Sequence, residues 1–157
     1  MAYASSEEPK LASDWTRVNT GLRCSGEVSM RVDRNNGIHI MFMDASGQLC
    51  YVYAASTASL GSLTEKDKEV IDTNGSLSYG SISVKEEKKE DSSIVVIPTV
   101  TYLNRANTDD CIKYAYRTKA VPDKDGEWDY QIVPSMGIGH RAVAENKISL
   151  ESRKTGL

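Results

Sequence analysis

Apolar and polar positions alternate with a period of two over short stretches of this chain, and no stretch sustains a helical period. Residues 27–33, EVSMRVD, put Val28, Met30 and Val32 on one face. Arg34-Asn35-Asn36-Gly37 follows, and Asn-Gly is the strongest short hairpin signal. Residues 38–54, IHIMFMDASGQLCYVYA, read as two strands joined at Asp44-Ala45-Ser46-Gly47. Ile38, Ile40 and Phe42 point one way while Met41 and Met43 point the other. Apolar side chains on both faces predict a sheet covered on both sides. Residues 56–68 are polar and small, a loop with room for one helical turn, and 69–73 form a short strand closed by Asn74-Gly75.

The order then repeats. Ser81-Ile82-Ser83-Val84 matches Ser29-Met30-Arg31-Val32, and 86–91, EEKKED, form a charged hairpin tip. Tyr102-Leu103-Asn104 answers to Phe42-Met43-Asp44. Ile112-Lys113-Tyr114-Ala115-Tyr116 answers to Leu49-Cys50-Tyr51-Val52-Tyr53, with both Tyr-x-Tyr pairs in register. After the turn-rich 119–126, residues 127–133 stand where 68–73 stood, and they resemble the short strand at Trp15. Residues 140–145 and 147–153 read as the first two strands of a third copy. The repeat is a four-strand meander of roughly 50 residues, in the range that signals blades or solenoid coils.

This predicts an all-β fold of repeated four-stranded antiparallel meanders, laid out like β-propeller blades, with an incomplete ring in one chain. The expected organisation is a flexible leader at 1–13 and one repeat domain at 14–157. Within it the blade copies fall at about 26–73 and 79–133, with a partial copy at 140–157. A propeller needs about four or more blades. The chain is therefore expected to be a fragment or to complete a ring with other copies, the two arrangements favoured by its stop two strands into a third copy, with an open stack with capped ends as the third option.

Composition narrows the partners. A net charge of −3 and a pI near 5.4 give no electrostatic reason to expect nucleic acid or an anionic membrane. No apolar run approaches the roughly 20 residues of a membrane span. Cys24, Cys50 and Cys111 are odd in number and widely spaced, which fits neither a disulfide framework nor a zinc pattern. Cys50 and Cys111, beside apolar strand residues, read as small buried hydrophobes.

Candidate chemistry is sparse. His39 and His140 are the only histidines, too few for a His-based metal cluster or triad. His39 reads as a packed strand residue bonded to a neighbouring blade's backbone, and His140, after a Gly-Ile-Gly turn, as exposed. Asp33-Arg34-Asn35-Asn36-Gly37 lacks the further carboxylates of a calcium loop and reads as a hairpin turn. Asp109-Asp110 reads as a solvated loop tip. Met136-Gly137-Ile138-Gly139 lacks the spacing of a nucleotide fingerprint, and neither a Gly-x-Ser-x-Gly elbow nor a placed Cys/His pair occurs. No catalytic, metal-binding or cofactor-binding residue is assigned. Trp15, Trp128 and the Tyr-x-Tyr pairs are the aromatic stock. The tyrosines are expected to fill packing between blades.

These residues resemble the β-propeller repeats of exported bacterial proteins. Such repeats often read Ser-x-x-Val-Asp, Gly-x-x-His-Ile-x-Tyr-x-Asp, a Gly turn, Leu-x-Tyr-x-Tyr, then Gly-x-Trp. Ser29, Val32, Asp33, Gly37, His39, Ile40, Asp44, Gly47, Leu49, Tyr51 and Tyr53 follow that pattern, with Phe42 for the aromatic. The second copy keeps Ser81, Val84, Tyr102, Ile112, Tyr114, Tyr116, Gly126 and Trp128, with Lys85 in place of the Asp. The resemblance implies an extracytoplasmic or cell-surface setting. It leaves activity open, since the scaffold hosts lectins, hydrolases and docking modules. The leading expectation is a non-enzymatic module binding a protein or carbohydrate partner, with Trp15, Asp33, Trp128 and His140 as ligand-binding candidates. The alternatives are a sialidase- or glycosidase-like hydrolase using Asp33, and a purely structural assembly module that forms homo-oligomers.

Overall fold

The chain is all-β in a computed structural model that describes residues 2–4, 10–73, 77–104, 111–123 and 126–133. The expected third copy at 140–157, with His140, lies outside the described residues, as does Asp109-Asp110. Strands β1 (Ala2–Ala4) and β2 (Trp15–Arg17) pair antiparallel in a small sheet, so the expected leader opens on a strand. Strands β3 (Cys24–Val32), β4 (Ile38–Asp44), β5 (Leu49–Ala54) and β6 (Glu69–Asp72) form a four-stranded antiparallel meander, sheet 1. Strands β7 (Leu77–Lys88), β8 (Ile94–Asn104), β9 (Cys111–Arg117) and β10 (Trp128–Val133) form a second meander, sheet 2. Among the described residues the two sheets stay open and close no ring.

Strand pairing keeps the sequence correspondence along the central strands of the two sheets. Ser29 stands opposite Met41 in sheet 1, and their counterparts Ser81 and Thr101 stand opposite each other in sheet 2. His39 opposite Tyr53 is matched by Thr99 opposite Tyr116. Since a one-residue slip would turn every side chain to the other face, this shared register fixes which residues of each copy are equivalent.

Local turn chemistry sets that register. In the β3–β4 turn Asp33 Oδ1 accepts from the backbone N–H of Asn35 (2.7 Å) and Gly37 (2.8 Å), and Asn36 takes a positive φ of 63°. The β4–β5 turn repeats the design, with Asp44 Oδ1 accepting from Ser46 (2.8 Å) and Gln48 (2.9 Å) and Gly47 at φ 76°. An Asp that collects amides two and four residues on replaces the ladder bonds that a turn must give up.

The central strands β4 and β5 of sheet 1 are covered on both faces, as the two-sided apolar pattern of 38–54 predicts, but by different material, while Val28, Met30 and Val32 on β3 stay about half exposed. One face packs on sheet 2: Met41, Leu49 and Tyr51 meet Ile82, Val100 and Tyr102, with Met43 and Tyr53 at the margin. A blade between two others would have a second sheet on the other face, and among the described residues none packs there. There Ile38, Ile40, Phe42, Cys50 and Val52 are covered by Leu60 and Leu63 of the β5–β6 loop and by Val18 and Leu22. The cover is tied down by Gly21 N–H donating to the Leu63 carbonyl (3.0 Å) and Arg23 N–H to Glu65 Oε1 (2.7 Å). Lys68 Nζ returns to Asp44 Oδ2 at 2.7 Å. The loop holds 3₁₀ turns at Thr57–Ser62 and Glu65–Asp67, which seat those leucines. Cys50 is fully buried there, and burial pushes its thiol pKa up to about 12, so it behaves as the small hydrophobe its setting predicts. Cys111 is half-buried.

Candidate functional site

Of the side chains that sequence reading singled out, Asp33, His39 and Trp128 lie at the contact between the two sheets. Asp33 ends β3, and the turn it caps delivers His39 onto β4, where the imidazole is wholly buried. His39 Nε2 lies 2.9 Å from Asp33 Oδ2, and Nδ1 lies 2.8 Å from the Tyr51 hydroxyl on β5. An ionised carboxylate only accepts, so Nε2 carries the proton and Nδ1 accepts from Tyr51 O–H. Burial pushes the imidazole pKa below its ordinary value, against the hydrogen bond and charge of Asp33 and the charge of Glu86. The expected bond from His39 to a neighbouring blade's backbone is therefore replaced by two side-chain bonds within its own sheet.

From Tyr51 the chain of contacts crosses to sheet 2. Trp128 on β10 stands edge-on to the Tyr51 ring with centroids 5.2 Å apart, and its indole N–H donates to Glu69 Oε2 on β6 at 2.9 Å. Glu69 also accepts from Arg117 on β9, through Nε (2.9 Å) and Nη2 (3.0 Å), a two-pronged pairing. Arg117 is 1% exposed and spends its remaining donors on the carbonyls of Lys119 (2.9 Å), Ala120 (3.3 Å) and Asp123. Three residues along β6, Asp72 Oδ2 accepts from Tyr102 (2.8 Å), Asn104 (3.3 Å) and Lys113 (2.9 Å), all on sheet 2. Two carboxylates on one short edge strand thus take six hydrogen bonds from the facing sheet. That is a charged latch laid along the margin of an apolar contact.

The four ligand-binding candidates fare differently. Asp33 is 5% exposed and bonded to three donors, which leaves it holding a turn and a histidine rather than facing solvent. A hydrolase that used Asp33 as an acid or base would need that carboxylate open to its substrate. Trp128 is half-buried in the latch. Trp15 lies on β2 with its side chain about half exposed, in the separate small sheet, and His140 is outside the described residues. Of the Tyr-x-Tyr pairs, Tyr51 and Tyr53 fill the contact between sheets as predicted. Tyr114 and Tyr116 alternate with the inward Lys113, Ala115 and Arg117, so they stand on the far face of sheet 2, and Tyr116 donates to Asp129 at 2.9 Å.

Sequence reading missed Glu69, Asp72, Lys113 and Arg117. The signal was there in β9: Lys113, Ala115 and Arg117 share one side of an alternating strand, so two cations point into a core that must supply anions. Among the described residues no three His, Cys, Asp or Glu side chains converge as a metal site, and no helix is long and apolar enough to cross a membrane.

Gly37 tests how tightly the Asp33 turn is built. A Cβ added there would press into Asp33 Oδ2 and the Tyr53 ring. Gly37→Ala is expected to cost about 2 kcal/mol through overpacking, read as a lowered thermal midpoint by circular dichroism. An unchanged midpoint would mean that the turn yields freely.

Comparisons with family models, with curated proteins and with solved structures found no match to this chain.

Proposed function

We propose that this chain is a non-enzymatic binding module built of stacked, propeller-type four-stranded repeats, which takes a protein or carbohydrate partner on its sheet margins. The observation that carries the reading is a division of labour. Side chains capable of chemistry (Asp33, His39, Glu69, Asp72, Arg117) are engaged by hydrogen bonds within the protein, while the open margins carry binding-type side chains. Tyr130 and Ile132 on β10 are more than half exposed, with Lys113 Nζ 4.2 Å from the Tyr130 ring centroid. An exposed aromatic ring beside a fixed charge suits stacking and hydrogen bonding to a sugar or a peptide. In keeping with the resemblance to exported repeats, the proposed setting is extracytoplasmic.

The propeller-type stacking is supported by β3 and β7, the first strands of the two sheets, which lie side by side. Gly80 N–H donates to Glu27 and Ile82 N–H to Ser29 across the gap. Of the three expected arrangements, the open stack with a capped end has the most support. Leu60 and Leu63 occupy the face that a preceding sheet would need. The latch has no second half either. Gln131 and Val133 stand in sheet 2 where Glu69 and Asp72 stand in sheet 1, and Ala54 and Cys50 stand where Arg117 and Lys113 stand. A second copy therefore lacks the charges to repeat this junction, and light scattering is expected to return the monomer mass; a discrete ring-sized oligomer would contradict it.

A glycan array together with a peptide library tests the binding reading. Binding that Tyr130→Ser abolishes is expected. Turnover of a glycoside substrate with no binding to either library would overturn the proposal.

A further inference from the structure

Most buried groups here serve packing or the latch, but His39 is placed where one added proton changes a whole chain of bonds. We propose that the buried Asp33–His39–Tyr51 chain is an acid-sensitive fastener for the contact between the two sheets. The neutral imidazole fits its site with nothing left over: Nε2–H donates to Asp33, and Nδ1 accepts from Tyr51, whose ring braces Trp128. The imidazolium has two donors. Its new Nδ1–H would face a hydroxyl hydrogen, so Tyr51, which is wholly buried, would have to turn that hydrogen away from His39 with no solvent to receive it.

The charged and titratable groups around His39 come from every neighbouring element. Asp33 lies on its turn, Arg31 is its cross-strand partner on β3, and Tyr51 and Tyr53 are on β5. Glu86 on β7 faces it and is itself paired with Arg34. Glu69 on β6 and Arg117 on β9 act on Tyr51. Asp33 and Glu86 favour the imidazolium, while burial opposes it and prevails. The sign follows from linkage. The unfolded chain takes up the proton near pH 6.5, before the folded chain does, so stability is complete above that value and falls as pH drops below it.

The test uses the full chain with His140→Gln and Trp15→Phe, which leaves His39 and Trp128 as the only residues of their kinds. Imidazole proton shifts, Trp128 emission and the melting temperature are followed from about pH 8 to about pH 5, above the range of ordinary carboxylates. The expected result is a His39 titration below 6.5 and a melting temperature lower by about 3 °C at the acid end, with Trp128 emission moving to the red. Tyr51→Phe removes the donor that favours neutral imidazole, so it should raise the His39 titration and shrink the acid loss. A His39 titration at or above 6.5, or a flat melting temperature and emission while His39 titrates, would overturn the proposal.

Discussion

Replacing Arg117 with methionine is expected to cost about 3 kcal/mol of folding stability, seen as a lower urea midpoint at unchanged slope. Methionine roughly keeps the buried volume, so the loss is electrostatic rather than a cavity. Glu69 loses a two-pronged partner held at 2.9 and 3.0 Å, and the carbonyls of Lys119, Ala120 and Asp123 lose the donor that gathers them. Unmade bonds at a buried group cost more than the same bonds contribute when made, which is why removing one side of the pair weighs so heavily. The nearby Lys119–Asp123 pair is the control. It is 3.8 Å long and about half exposed on both sides, so Lys119→Ala is expected to change stability by less than about 0.5 kcal/mol. A loss below about 1 kcal/mol in Arg117→Met would mean that the latch contributes little.

Asp33→Ala is expected to be as damaging, at about 3 kcal/mol by chemical denaturation. It strips the acceptor from the N–H groups of Asn35, Gly37 and His39 at once, and the last of these is wholly buried. Asp33→Asn separates geometry from charge. The amide oxygen can keep both backbone bonds, and its N–H can donate to His39 Nε2 if the imidazole moves its proton to Nδ1 and donates to Tyr51 oxygen. The bond chain then runs backwards, and the cost is expected to fall to about 1 kcal/mol. Equal losses in the two variants would contradict this account of the turn.

The strands and their order were legible because period-two alternation and Asn-Gly or Asp-initiated turns are local. Two four-stranded meanders form over the two matched stretches, and the Tyr-x-Tyr strands hold equivalent places in them, Tyr53 opposite His39 and Tyr116 opposite Thr99. What covers each face was not legible. The loop at 56–68 is polar in composition, and only its folding into 3₁₀ turns brings Leu60 and Leu63 onto Ile40 and Phe42. The latch escaped for a similar reason. The alternation of β9 marks Lys113 and Arg117 as inward, but their partners Asp72 and Glu69 are far away in sequence, and only the facing sheet brings them together. Asp33 was noticed for its repeat position, but its role depends on His39 turning inward. Side-chain direction within a two-sided apolar strand is weakly marked by the sequence.

Glu69 and Asp72 on one sheet and Lys113 and Arg117 on the other join the two equivalent sheets, and the pair of Glu69 on β6 with Arg117 on β9 tests this most directly. A double-mutant cycle of Glu69→Gln and Arg117→Met, read by urea denaturation, is predicted to give a coupling of about 2 kcal/mol. Losses that simply add, within about 0.5 kcal/mol, would place the two strands out of contact and contradict the stacked arrangement.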